Sequence, residues 1–91
     1  MDNEIYELKF DKQPKKYMSK MPRYFSRKIK IQMGEIAEGN TKNKNLLKMK
    51  GYENRYRVRI GDYRVTYKKK KEKLVIKVIE VINRGDAYKN K

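Results

Sequence analysis

Residues 54–70, NRYRVRIGDYRVTYKKK, decide how this chain is read. Taken two at a time, they set Arg55, Arg57 and Arg59 on one face of a strand and Tyr56, Val58 and Ile60 on the other. After Gly61-Asp62 the alternation resumes, with Tyr63, Val65 and Tyr67 on one parity and Arg64, Thr66 and Lys68 on the opposite one. Period-two alternation broken by a two-residue loop is the pattern of a β-hairpin. A leading glycine suits a type II′ turn, whose first central residue needs positive φ. The implied register sets Ile60 opposite Tyr63, Arg59 opposite Arg64, Val58 opposite Val65, Arg57 opposite Thr66 and Tyr56 opposite Tyr67. One face of that hairpin is apolar and the other nearly all cation. Opposed arginines destabilise a hairpin by up to roughly 1 kcal/mol, so the register calls for a compensating anionic partner.

Outward from the hairpin, EIYELKF (4–10) alternates Tyr6, Leu8 and Phe10 with Ile5, Glu7 and Lys9, which reads as a first strand with an aromatic-rich inner face. Asp11 stands where a helix N-cap belongs and Pro14 falls in the first turn, so a short helix is expected to about Lys20. Pro22 opens a second helix, along which Phe25, Ile29, Met33 and Ile36 form one apolar stripe and Gly39 supplies the C′ residue. Gly34 lies inside that helix and costs roughly 1 kcal/mol against alanine unless close packing requires it. Residues 40–51 read as a basic connection anchored by Leu46, Leu47 and Met49. Residues 73–82, KLVIKVIEVI, form a strand apolar on both parities, as expected of a central strand covered on both sides over part of its length. The expectation is one α+β domain over residues 1–91: an antiparallel sheet of about four strands with an N-terminal αα-hairpin on one face, in the order β-α-α-β-β-β.

The chain has 91 residues with no cysteine and no histidine, which excludes disulfides and the common zinc sites. Lys and Arg number 26 against 11 acidic residues, a formal charge of +15, and such self-repulsion is relieved by an anionic partner, for which nucleic acid, an acidic protein segment and an anionic membrane surface are the candidates. Neither a signal peptide nor a run of apolar residues long enough to span a bilayer is present, so a cytoplasmic location and no membrane partner are expected.

Arginine narrows the chemistry, because its planar fork grips phosphate in two places where lysine offers a point charge. RNA is cut without metal when its 2′-OH is held in line with the scissile phosphate, a base takes the proton, and cations stabilise the developing charge. Histidine, the usual acid and base, is absent, which leaves Lys, Tyr, Asp and Glu as proton carriers. Tyr88, shortly after Arg84, is the best placed by sequence; it reads equally as an aromatic covering the end of the sheet.

The segment LLKMKGYENRYRVRIGDYRVTY (46–67), followed after a strand by VINRGDAY (81–88), resembles the RelE/ParE superfamily of toxin–antitoxin toxins, in particular its RelE-like branch with archaeal members. The resemblance covers essentially the whole chain. It implies an mRNA interferase: a metal-independent endoribonuclease, needing no cofactor, that enters the ribosomal A site and cleaves the codon there to a 2′,3′-cyclic phosphate and a 5′-hydroxyl. By motif, the family's catalytic positions fall on Arg57, Arg59, Arg64, Arg84 and Tyr88, while Arg55, Lys68, Lys48 and Lys50 are expected to contact RNA. The best-known RelE enzymes carry lysine at the first two positions, and arginine does not readily give up its proton. Arg57 and Arg59 are therefore expected to clamp phosphate and polarise the 2′-OH, with Arg64 and Arg84 stabilising the transition state and Tyr88 stacking or relaying a proton; the base is left unassigned. The implied partners are a cognate antitoxin, the ribosome and mRNA. Two other functions stay open, a ParE-like gyrase poison without nuclease activity and an inactive member that binds RNA or antitoxin.

Overall fold

A computed structural model describes residues 4–83. It has the order β1 (Glu7–Phe10), α1 (Lys12–Ser19), α2 (Arg23–Ala37), β2 (Asn45–Lys48), β3 (Arg55–Ile60), β4 (Tyr63–Lys70) and β5 (Val75–Asn83). The strands make one sheet in the order β1-β5-β4-β3-β2, with β1 parallel to β5 and every other pair antiparallel. The α+β class and the helix pair on one face agree with the sequence reading. The sheet, however, has five strands and is mixed. The additional strand is β2, whose four residues are too few to show a period and owe their conformation to pairing with β3, Leu46 standing opposite Val58. The connection through both helices carries the chain across to β2 at the opposite edge of the sheet, and the last strand, β5, inserts beside β1 in the same direction.

Local chemistry sets the helix limits. The Asp11 carboxylate accepts from the Lys12 N–H at 3.0 Å and opens α1. Pro22, expected as the first helical residue, has extended ψ and is instead the N-cap of α2, one position before the first helical residue, Arg23. At the other end Gly39 takes φ +90°, its N–H donates to the Ile36 carbonyl and the Asn40 N–H donates to that of Glu35, a Schellman motif that satisfies carbonyls the helix leaves free. The stripe Ile29, Met33 and Ile36 is buried, Phe25 packs against it, and a Cβ built on Gly34 meets nothing within 4 Å. No close packing therefore requires a glycine at that position.

The core lies between these helices and the sheet face bearing Val58, Ile60, Tyr63, Val65, Tyr67, Ile76, Val78 and Val81. Gly61 has φ +61° while Asp62 does not have positive φ, as in a type II′ turn, and the β3–β4 register is the one the alternation implies. Tyr56 and Tyr67 stack at 5.4 Å, 13° from parallel. Burial first, and Tyr56 second, push the Tyr67 phenol pKa well above its ordinary range.

β5 departs from expectation. It is central in the sheet, yet among the described residues the helices cover only one face. Its two-parity apolar pattern arises from a β-bulge: Thr66 pairs with Glu80 but Tyr67 with Val78, which leaves Ile79 unopposed. Before the bulge Ile76 and Val78 face the core, and after it Val81 does. Beyond the end of β1 the free edge of β5 is covered by α1. Gln13 donates to the Val81 carbonyl and accepts from the Val81 N–H, both at 3.0 Å, and the Tyr17 hydroxyl accepts from the Asn83 N–H at 2.8 Å. Side chains thus act as a substitute strand, closing an edge that would otherwise invite pairing. No helix among the described residues is long and apolar enough to cross a membrane.

Candidate functional site

On the sheet face away from the helices, alternation and register arrange side chains in transverse rows. The row nearest the hairpin turn runs Asn45, Arg59, Arg64, Ile82 from β2 to β5; the next runs Leu47, Arg57, Thr66, Glu80. A third runs Arg55, Lys68, Lys77 and, on β1, Lys9. Neighbouring strands lie about 4.8 Å apart and alternate residues of a strand roughly 6.7 Å apart, so three arginines from two strands share a small area.

Of the expected catalytic residues, the fold brings Arg57, Arg59 and Arg64 together, Arg59 directly opposite Arg64. Arg84 and Tyr88 lie outside the described residues; β5 runs to Asn83, opposite Tyr63, at the end of the sheet where Arg59 and Arg64 stand. Arg55 and Lys68 share the arginine face. Lys48 does not: it stands opposite Tyr56 on the helix-side parity of edge strand β2, and Lys50 sits in the turn that follows.

Charge on this face is scarcely neutralised. Among the described residues the ion pair with contact geometry is Lys44 to Glu35 at 2.7 Å, on the helix side. The Arg55 guanidinium lies 4.1 Å from the centroid of the Tyr52 ring, and its Nε is buried with no hydrogen-bond partner. That contact holds an exposed aromatic ring at the edge of the cationic field, the combination that binds single-stranded nucleic acid by stacking and charge.

The sequence reading missed Lys9, Lys77, Tyr52 and Glu80. Lys9 and Lys77 alternate out of phase with their strands' apolar residues, which was a usable signal, but only the β1–β5 and β4–β5 registers place them beside Lys68. Tyr52 precedes β3 in a segment without periodicity. Glu80 has the parity of Ile76 and Val78 by counting, and the bulge alone moves it to the other side.

A face of this kind can clamp a phosphodiester from two strands, offset the charge of an attacking oxygen, and guide the flanking strand along the lysine row. A family model described as the ParE toxin of type II toxin-antitoxin system, parDE, matches residues 6–88. No curated protein sequence shows significant similarity to the chain. Among solved structures, the archaeal RelE-RelB complex from Pyrococcus horikoshii OT3 contains a chain 29% identical with TM-score 0.73, over 88% of this chain and 96% of that one. The RelB-RelE antitoxin-toxin complex from Methanococcus jannaschii gives 25% identity and TM-score 0.72, over 89% and 95%. The intact E. coli RelBE toxin-antitoxin complex gives 28% identity and TM-score 0.72, over 86% and 95%.

Proposed function

The chain belongs to the ParE toxin family of type II toxin–antitoxin systems, within the RelE/ParE superfamily, and from that premise we propose that it is a ribosome-dependent mRNA endonuclease acting in the cytoplasm. The observation that carries the reading is the cluster of Arg57, Arg59 and Arg64, unpaired with any carboxylate among the described residues and opposed across a hairpin at a cost in stability. A surface that only had to be soluble would disperse such charges.

In this reading Arg57 and Arg59 hold the scissile phosphate and polarise the adjacent 2′-OH, while Arg64 stabilises the charge that grows on the phosphorus-bound oxygens as the 2′-oxygen attacks. Each of the three acts as a donor and a fixed positive charge, neither of which needs a proton to leave arginine. Arg84 and Tyr88 are assigned to the same centre, as charge stabiliser and as stacking or proton-relay group. Arg55, Lys68, Lys77 and Lys9 position the flanking strand. The products are a 2′,3′-cyclic phosphate and a 5′-hydroxyl, and no cofactor is required.

The similar RelE chains were solved with RelB antitoxins, and a cognate antitoxin is proposed here too. The outer face of α2 offers exposed Tyr24 and Ile31 among Arg23, Arg27 and Lys28, suited to an amphipathic acidic segment. The ParE description of the matched family supports a second reading, a gyrase poison. Expression with and without the protein encoded beside it, followed by mapping of mRNA 5′ ends, separates the two. Discrete new ends within translated codons support the nuclease. Intact mRNA with inhibited supercoiling supports the gyrase poison, and neither effect leaves a binder of RNA or antitoxin.

A further inference from the structure

Resting on the nuclease reading, we propose that Glu80 is the general base that removes the proton from the attacking 2′-OH.

The bulge in β5 carries the argument. With Val78 facing the core, a regular strand would direct Glu80 into the core as well. The unopposed Ile79 reverses the phase, so Val81 packs in the core and Glu80 emerges on the arginine face. Bulges recur beside active sites, where they re-aim a side chain.

Glu80 is exposed and pairs across the ladder with Thr66, which in turn pairs with Arg57. Thr66 is short and buried, so the row forms a shallow trough with a cation on one wall and a carboxylate on the other, roughly 10 Å apart at the backbone. Arg64 and Lys68 stand diagonally from Glu80 on β4, about 7–8 Å away at the backbone. A phosphodiester over Thr66 therefore meets Arg57 and Arg64 through its oxygens and Glu80 through its neighbouring hydroxyl.

Glu80 also has the position that other acids lack. Among the described strand residues on this face the remaining carboxylate is Glu7, on the edge strand opposite Val75 and outside the arginine rows; Asp62 lies in the hairpin turn beyond them. Among the described residues no ion pair engages Glu80.

The step balances without a further reactant. The Glu80 carboxylate takes the 2′-OH proton as that oxygen bonds to phosphorus, and the P–O5′ bond breaks. O5′ leaves with a proton from water, and the hydroxide so formed takes the proton back from Glu80.

Because a carboxylate on an RNA-binding face weakens binding, catalysis and electrostatics predict opposite results for Glu80→Gln. Single-turnover cleavage of ribosome-bound mRNA and retention of a single-stranded RNA are measured for wild type, Glu80→Gln and Glu80→Asp, with melting curves verifying the fold. Expected is a rate loss of about 100-fold for Glu80→Gln, with RNA retained as well as or better than by wild type, and a rate for Glu80→Asp above that of Glu80→Gln. A loss smaller than tenfold, or equal rates for the two variants, overturns the assignment. A wild-type protein that leaves the mRNA intact overturns the nuclease reading itself, a different result from cleavage that survives Glu80→Gln.

Discussion

The two faces of the same sheet are built from alternate residues of the same strands, and they behave oppositely. On the helix side Val58, Val65, Val78 and Val81 are wholly buried. On the other side Arg55, Arg57, Arg59, Arg64, Lys68 and Lys77 gather like charges in adjacent positions, which costs stability in an isolated protein. The difference teaches that fold and function are separable here by parity: a substitution at one position tests packing, and a substitution at the next tests chemistry.

The largest effect expected from breaking this division is on the packed side. Ile29 is fully buried at the centre of the α2 stripe, so Ile29→Ala should lose about 2–5 kcal/mol in urea denaturation, whereas Arg59→Ala should lose nothing or gain slightly. Next in size is the border between the faces, where Gln13 closes the β5 edge. Gln13→Ala strips both backbone groups of Val81 of their partner and should cost about 1–3 kcal/mol; an unchanged midpoint would show that water replaces the side chain without loss. Gly34→Ala should stabilise the protein by up to about 1 kcal/mol, because a methyl there meets open space within a helix.

The smallest effect at neutral pH belongs to Tyr67. Its phenol is raised above the unfolded value by burial and by Tyr56, so the folded state holds a proton that the unfolded chain releases above about pH 10. Stability is full below that pH and falls as pH climbs toward the raised value. Tyr67→Phe should show less of this alkaline loss than wild type, and identical alkaline melting profiles would contradict the burial argument.

What the sequence disclosed followed from how local the determinants are. The β3–β4 hairpin was legible residue by residue because a two-residue turn fixes the register and every strand position alternates. The α2 stripe and its Gly39 end were legible for the same reason. β2 was hidden by its length, and the direction of β1 depended on a long connection. The β5 bulge reads in sequence as a strand apolar on both parities, since only pairing with Thr66 and Tyr67 reveals that Ile79 is extra. The site inherited these limits: Arg57, Arg59 and Arg64 were found, whereas Glu80, Lys77 and Lys9 needed the registers of β5 and β1.

The central claim is that the arginine parity carries the activity and contributes nothing to stability. The most direct test compares wild type with the triple variant Arg57→Ala/Arg59→Ala/Arg64→Ala, recording the melting temperature and cleavage of ribosome-bound mRNA in the same preparations. The account predicts abolished cleavage with a melting temperature equal to or above that of wild type. Cleavage that persists, or a melting temperature lowered as far as that of Ile29→Ala, would contradict it.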